Sequence, residues 1–173
     1  MRIVAGEYKG RRLRMPRGAL TRPTADRVRE ALFSMLGDVT GARVLDLYAG
    51  SGALGIEALS RGATSAVFVE RDARAAATIQ ANLDTVGAEA DVSRQDVLAF
   101  VRRDERSYDL VFCDPPYDCG PRIAAALAES LPALLSSDAR IVTESDKRNP
   151  LELPFALLRE RTYGDTRIAI HGR

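Results

Sequence analysis

Residues 43 to 59 read Arg-Val-Leu-Asp-Leu-Tyr-Ala-Gly-Ser-Gly-Ala-Leu-Gly-Ile-Glu-Ala-Leu. The apolar run over residues 44–47 predicts a buried strand, and apolar residues return at helical spacing from Leu54 onward. Gly50 and Gly52 lie between these two patterns and predict a tight turn. The stretch therefore predicts a strand, a glycine-rich loop and a helix, in which backbone N–H groups at the helix N-terminus can cradle a ligand.

Two classes of cofactor site fit this loop. Gly50, Gly52 and Gly55 satisfy the G-x-G-x-x-G pattern of dinucleotide-binding proteins. Asp46 favours the other class, because a nicotinamide-binding strand is buried on both faces and is usually apolar up to its first glycine. An acid followed by Tyr-Ala-Gly-Ser-Gly resembles motif I of the class I S-adenosylmethionine-dependent methyltransferases, whose acid helps orient the methionine end of the cofactor. A glycine turn that only packs the helix on the strand is the structural alternative.

Composition limits the remaining possibilities. The chain has 173 residues, 46% of them apolar, which suits one domain with a single core. It contains no apolar run of about 20 residues and no signal-peptide core, so we expect a cytoplasmic protein without a membrane segment. Two cysteines and one histidine do not make a zinc site, a disulfide framework or a Ser-His-Asp triad. We therefore expect chemistry based on carboxylates, backbone groups and aromatic rings, without a metal.

Charge is concentrated at the N-terminus. The whole chain carries a net charge of +1, but residues 1–30 contain nine basic and three acidic residues. A basic arm on an acidic body indicates an element that binds a polyanion, and the alternative is an arginine-rich surface segment in contact with solvent.

The rest of the chain alternates between strand and helix patterns. Such alternation followed by a hairpin predicts an α/β fold with a mostly parallel sheet and an antiparallel C-terminal edge. We expect a basic N-terminal extension over residues 1–37, made of a short hairpin and a covering helix, and a main domain over residues 38–173. The predicted strands are residues 2–5, 11–15, 44–47, 65–70, 90–93, 108–113, 140–144, 155–161 and 166–170. The predicted helices are 24–36, one after the glycine loop with its apolar residues at 54–59, 72–86, a short one from 95, and 121–135, and 145–154 is predicted to be a polar loop.

Acidic residues follow several of these strands. Glu70 ends the second strand of the main domain and is placed to accept hydrogen bonds from ribose hydroxyls in either cofactor class. Asp96 either caps the short helix or receives the adenine amine of a cofactor. Asp-Pro-Pro-Tyr at residues 114–117 follows strand 108–113, and ligands of open α/β sheets bind beyond the C-terminal ends of the strands. A turn that only ends the strand is the alternative for this tetrapeptide.

The tetrapeptide suits methylation of an amine on a nucleobase. The Asp114 carboxylate and the Pro115 carbonyl are two acceptors for the hydrogens of an exocyclic amine, and they would aim its lone pair at a methyl donor. Tyr117 would stack on the base, and the rigid prolines favour a reaction that depends on alignment. A paired base could not reach such a pocket, so the target must be unpaired or flipped.

Four segments together resemble the RsmD family, bacterial methyltransferases that modify the 2-amino group of one guanine in small-subunit ribosomal RNA. They are Arg-Pro-Thr-Ala-Asp-Arg-Val-Arg-Glu-Ala-Leu-Phe at 22–33, the stretch at 46–63, Asp-Pro-Pro-Tyr at 114–117 and Tyr-Gly-Asp-Thr-Arg-Ile at 163–168. The resemblance spans essentially the whole chain, and the first block is its most specific part. Tyr48 stands where a phenylalanine is common in the family, which preserves an aromatic ring.

The resemblance implies S-adenosylmethionine as the cofactor and small-subunit ribosomal RNA, in an assembled or partly assembled ribosomal subunit, as the partner of a monomeric enzyme. The alternatives are an amine methyltransferase acting on adenine in DNA, a nicotinamide oxidoreductase and a non-catalytic RNA-binding module. The implied cofactor-binding residues are Asp46, Tyr48, Ala49, Gly50, Ser51, Gly52, Glu70, Arg71, Asp96 and Val97; the catalytic ones are Asp114, Pro115, Pro116 and Tyr117; and the RNA-binding ones are Lys9, Arg11, Arg12, Arg14, Arg22 and Arg27.

Overall fold

A computed structural model describes residues 1–16, 26–115 and 121–173, and within them the chain forms one mixed sheet. The strand order is β3-β2-β1-β4-β5-β7-β6. The first five strands in this order pair in parallel, and β7 pairs antiparallel with both β5 and β6, which confirms the predicted fold class. The strands are β1 (Arg43–Leu47), β2 (Ser65–Val69), β3 (Asp91–Ser93), β4 (Tyr108–Cys113), β5 (Leu135–Asp146), β6 (Ala156–Tyr163) and β7 (Thr166–Gly172).

Helices cover both faces of the sheet, so its central strands are buried on both sides. Val44 and Leu45 of β1 point to opposite faces, as neighbours in a strand do, and neither is exposed to solvent. On one face, Phe33 packs against Phe112 of β4 with ring centroids 5.8 Å apart. No described helix is long and apolar enough to span a bilayer. The helices are α1 (Asp26–Leu36), α2 (Ala53–Ser60) and α3 (Ala73–Val86) on that face and α4 (Val97–Val101) and α5 (Pro121–Ser130) on the other, with a 3₁₀ helix (Leu131–Leu134) after α5.

Several predicted boundaries in the C-terminal half are wrong: the two hairpin strands predicted over 155–161 and 166–170 end later, at Tyr163 and Gly172, and the two elements before them differ more. The helix predicted over residues 121–135 ends at Ser130 and continues as a 3₁₀ helix, because Pro132 has no backbone N–H to continue the α-helical pattern. The strand predicted over 140–144 extends from Leu135 to Asp146, and it takes in two residues assigned to a polar loop. Pairing explains the extension at both ends, since Leu135 pairs with Tyr108 of β4 and β7 follows β5 from Arg140 to Asp146.

The N-terminal segment, residues 1–16, also differs from the prediction. The two predicted strands are reduced to a single antiparallel bridge between Arg2 and Arg12, although the N–H of Ile3 still donates across the hairpin to the carbonyl of Arg11 at 3.0 Å. The backbone N–H groups of Val4 and Ala5 bond to the carboxylate of Glu57 in α2, so they are not available for a strand partner. The segment packs on the main fold, where its apolar residues join the core between α1, α2 and α3. A domain boundary at residue 37 stays a prediction.

Candidate active site

The glycine-rich loop between β1 and α2 has an unusual backbone. Tyr48, Gly50 and Gly52 have φ of 59°, 56° and 76°. A tyrosine with positive φ is uncommon, and such strained residues are concentrated at functional sites. The loop is held by its neighbours, since the N–H of Ala49 donates to the carbonyl of Val69 at 3.2 Å. The loop predicted from the sequence is therefore present and fixed in position.

Asp46 lies buried below this loop. Its Oδ2 accepts the backbone N–H of Gly55 at 2.9 Å. A side chain at position 55 would overlap the Phe68 ring and lie 3.0 Å from the same carboxylate oxygen, so the third glycine of the pattern allows close packing of α2 on the strands. Burial raises the pKa of Asp46 to about 7, and the nearby Glu70 carboxylate contributes to this shift. A cationic group placed beside Asp46 would favour its ionised form.

Glu70 joins the loop to the start of α3. One carboxylate oxygen accepts the N–H of Gly50 at 3.0 Å, and the other accepts the N–H of Asp72 at 2.8 Å. A carboxylate has about four acceptor positions, so two remain for ligand hydroxyls. The neighbouring Arg71 is exposed.

Asp96 caps α4. Its carboxylate accepts the N–H of Ala99 at 3.0 Å, which confirms the capping interpretation. The residue is exposed, so its other oxygen can accept a further hydrogen bond, and the adenine role stays a prediction. Val97 is buried in the core between α4 and the sheet.

Asp114 and Pro115 follow β4, next to the glycine-rich loop. Leu47 of β1 pairs with Cys113 of β4, so the chain leaves both strands at the same edge of the sheet. Pro115 is buried and Asp114 is partly buried. Burial raises the pKa of Asp114 well above the usual range, and the negative charges of two neighbouring acids, first Glu144 and then Asp46, raise it further. The predicted site residues Pro116 and Tyr117 lie outside the described part of the chain.

The sequence-based site did not include Glu144. It lies near the C-terminal end of β5 and is buried. Because Cys113 pairs with Thr143, Glu144 follows in register beside Asp114. Asp46, Asp114 and Glu144 thus lie at the C-terminal ends of three adjacent strands and on one face of the sheet, since side chains alternate. The strand-end position that identified Glu70 would also have identified Glu144.

A buried ion pair was also not predicted from the sequence. Glu57 of α2 and Arg29 of α1 are both inaccessible to solvent, and their nearest charged atoms are 3.4 Å apart. Glu57 also contacts Nε of Arg61 at 2.9 Å and accepts the two N-terminal backbone N–H groups described above. Arg29 lies three and four residues before Leu32 and Phe33, so its helical spacing places it on the buried face.

The described basic candidates fall into two groups. Arg11 donates to the carbonyl of Thr85 at 3.0 Å, near the C-terminal end of α3, and its guanidinium lies 5.9 Å from the centre of the Tyr8 ring. The second group is exposed, and within the described residues its charged groups make no hydrogen bond or ion pair; it comprises Lys9, Arg12, Arg14 and Arg27. Arg22 lies outside the described residues. Among the described residues there is also no cluster of three or more side chains suited to a metal ion.

The sequence and the structure of this chain are both similar to those of known methyltransferases. The family model described as Conserved hypothetical protein 95 matches residues 1–172. The ribosomal RNA small subunit methyltransferase D of Escherichia coli strain K12 is 37% identical over 183 residues, which cover all of this chain and 90% of that protein. The structure of yhhF from E. coli is 34% identical, with a TM-score of 0.86 over 100% of this chain and 97% of that chain.

A more distant structure contains ligands. It is the T. thermophilus 16S rRNA N2 methyltransferase RsmC in complex with AdoMet and guanosine, with 25% identity and a TM-score of 0.74 over 91% of this chain and 44% of that chain. The sheet order, the glycine-rich loop and these matches together identify the fold and the family. The chain has the fold of the class I S-adenosylmethionine-dependent methyltransferases and belongs to the RsmD family.

Proposed function

We propose that this protein transfers a methyl group from S-adenosylmethionine to the 2-amino group of a guanine in small-subunit ribosomal RNA, in an assembled or partly assembled subunit. One observation carries most of the weight. The loop above Asp46 and the Asp114-Pro115 pair follow adjacent parallel strands, so a cofactor cradle and two amine acceptors open into one crevice. The printed names of the E. coli and T. thermophilus relatives support ribosomal RNA as the substrate.

The residues around the loop fit this cofactor. A buried carboxylate with a pKa of about 7 is stabilised in its ionised form by a cation, and S-adenosylmethionine carries positive charge at its methionine end. Glu70 and Asp96 each keep acceptor positions, which we assign to the ribose hydroxyls and the adenine amine. The bound cofactor supplies an electrophilic methyl group on a positively charged sulfur. The remaining contacts are assigned to Tyr48, Ala49, Gly50, Ser51, Gly52, Arg71 and Val97.

Asp114 and the Pro115 carbonyl are assigned to the guanine amine. The amine is a weak nucleophile because its lone pair is delocalised into the ring. Two acceptors at its hydrogens favour a pyramidal nitrogen with its lone pair directed at the methyl group. An ionised Asp114 accepts at both of its oxygens, and its raised pKa suits it to take up the proton that the methylated amine loses. Pro116 and Tyr117 are assigned to the rigid wall and the stacking surface of the same pocket.

The exposed basic side chains supply the contact with RNA. Lys9, Arg12 and Arg14 lie on the N-terminal segment and Arg27 lies on α1, and such residues bind phosphates without reading sequence. Arg22 is assigned to the same surface. The target guanine has to be unpaired or flipped to reach Asp114.

Product analysis tests the proposal. Small subunits that lack their native methylation are incubated with the protein and labelled S-adenosylmethionine, then digested to nucleosides. We expect a single labelled product, 2-methylguanosine, and far less label at the same reaction time with the Asp114→Ala variant, which serves as a control for contaminating activity. Labelled N6-methyladenine from a random DNA duplex, at a comparable rate, would contradict the proposal in favour of a DNA substrate. Binding of NAD in place of S-adenosylmethionine would favour an oxidoreductase.

A further inference from the structure

The side chain of Asn82 connects two parts of the molecule that the sequence keeps far apart. It lies in α3, is inaccessible to solvent, and uses its donors and its acceptor. Its Oδ1 accepts the backbone N–H of Arg14 at 2.7 Å, and its Nδ2 donates to the carbonyl of the same residue at 3.0 Å. The same Nδ2 donates to the carbonyl of Ser51 in the glycine-rich loop at 2.9 Å.

This arrangement fixes both partners at once. The two bonds to Arg14 hold its peptide backbone in one orientation while its side chain stays exposed. The bond to Ser51 holds the loop carbonyl in a buried position, where losing the donor would leave an unsatisfied polar group. A displacement of residue 14 therefore has to disturb either the amide or the loop.

A second set of contacts attaches the same segment to α2, the helix that begins at the loop. Ser60 accepts the N–H of Tyr8 at 2.9 Å and donates to the carbonyl of Ala5 at 2.5 Å. A side chain at Gly6 would overlap the backbone of Ser60, so the segment lies in direct contact with the helix. The N-terminal segment thus contacts both helices that flank the cofactor loop.

We propose that Asn82 is a positioning residue that couples the cofactor loop to the basic N-terminal segment, so that filling the loop orders the segment and RNA on the segment orders the loop. The inference rests on the proposed function, in which the loop holds the cofactor and the segment holds RNA. Coupling of this kind is reciprocal, because each ligand changes the affinity for the other by the same factor.

Three variants separate the contacts. Asn82→Ala removes all three hydrogen bonds. Asn82→Asp keeps an acceptor for the N–H of Arg14 but has no donor for Ser51 when ionised. Gln80→Ala removes an exposed amide from the same helix and serves as the matched control. We expect the two Asn82 variants to bind S-adenosylhomocysteine about tenfold more weakly by calorimetry, the effect of losing the one buried hydrogen bond that reaches the loop, and the control to bind unchanged.

Hydrogen exchange tests the coupling itself and needs no RNA. In the wild type, S-adenosylhomocysteine should slow exchange in the peptide covering residues 1–16 more than in the β6–β7 hairpin, which serves as the internal reference. In Asn82→Ala the segment should lose this additional protection at saturating ligand. A purely structural role would weaken folding of the variant but leave the ligand-induced protection intact. If Asn82→Ala does not fold, the ligand-induced protection of residues 1–16 is compared between the wild type and Asn82→Asp instead.

Binding of small-subunit RNA gives the reciprocal measurement. S-adenosylhomocysteine should tighten RNA binding to the wild type and to Gln80→Ala, but not to Asn82→Ala. Equal protection and equal tightening in the wild type and Asn82→Ala would overturn the coupling while leaving the proposed function in place. Failure of the wild type to bind S-adenosylhomocysteine would overturn the proposed function first, and the coupling with it.

Discussion

The carboxylate of Asp46 accepts the N–H of Gly55 across the turn that joins β1 to α2. This bond places a buried acid at the base of the cofactor loop, and the bond needs a glycine because Phe68 occupies the space of any larger side chain. Burial raises the pKa of this acid to about 7, so its protonation responds to a cationic ligand near neutral pH.

The first prediction concerns pH. Between about pH 4 and 7 the folded protein binds more protons at Asp46 than the unfolded chain does, so the free energy of unfolding falls as pH rises through this window. The Asp46→Asn substitution keeps an acceptor for the Gly55 N–H but introduces a side chain that does not titrate. We expect it to remove a pH-dependent loss on the order of 4 kcal/mol, measured by urea denaturation from pH 4 to 8. The same pH dependence in both proteins would assign the titration to another group.

The same residue links cofactor binding to protons. A cation beside Asp46 lowers its pKa, so S-adenosylmethionine should release protons on binding at pH 6 to 7. Calorimetry in two buffers with different ionisation enthalpies measures this release. It should be smaller in Asp46→Asn than in the wild type, and an equal release from both proteins would show that Asp46 is not the titrating group.

A second prediction concerns Gly55. Gly55→Ala places a methyl group on the Phe68 ring and next to Asp46, which should cost about 1–3 kcal/mol of stability and weaken cofactor binding. Gly172→Ala is the matched control, because the added carbon would meet only the flexible side chain of Leu158 at 3.3 Å. Thermal unfolding and calorimetry compare the two variants. Equal effects at both positions would contradict the assigned packing.

A third prediction separates the basic residues. Replacing Arg12 and Arg14 with alanine should weaken RNA binding and lower the slope of log K against log salt by about 0.7 for each lost contact with a single strand. Arg11→Ala should change this slope less, because its guanidinium bonds to the end of α3. Arg14→Ala also leaves the backbone bonds to Asn82 in place. An unchanged slope in the double variant would show that these arginines contact solvent and not RNA phosphates.

A fourth prediction concerns the buried pair of Glu57 and Arg29. Glu57→Gln replaces one acceptor oxygen with a donor that faces other donors, which should destabilise the fold by about 3 kcal/mol. Glu30→Gln changes an exposed acid on α1 and should alter stability by less than about 0.5 kcal/mol. Chemical denaturation measures both. A Glu57→Gln variant as stable as Glu30→Gln would mean that the pair does not anchor the N-terminal segment.

Local patterns predicted most of the fold. Two strands, at 44–47 and 108–113, were predicted correctly because each is an apolar run that ends at turn residues. Glycines mark the turn after the first strand and prolines the end of the second. The length of β5 was missed because it depends on partners distant in the chain, Tyr108 of β4 at its start and β7 at its end. The N-terminal strands were predicted too long because the N–H groups of Val4 and Ala5 bond to Glu57, a partner that local sequence does not reveal.

In the candidate site, too, local sequence predicts some residues, and others depend on tertiary contacts. Asp46 could be predicted from the acid that precedes the glycine-rich loop, and Glu70 and Asp114 since each follows a recognisable strand. The Asn82 contacts could not, because a polar residue on a buried helix face acquires meaning only when its tertiary partners are known. Asn82 lies three residues after Ile79 on the buried side of α3, and this spacing does not indicate what its side chain binds.

Asp114 provides the most direct test of the whole account. Single-turnover methyl transfer to small subunits should fall at least about 100-fold in Asp114→Ala, the loss expected for a group that aligns and stabilises the reacting amine. Asp114→Asn keeps one acceptor oxygen and should retain more of the rate. Binding of S-adenosylhomocysteine to both variants should stay within about threefold of the wild type, because Asp114 is assigned to the base. An Asp114→Ala variant that kept most of its transfer rate would contradict the claim that this carboxylate holds the amine beside the cofactor loop.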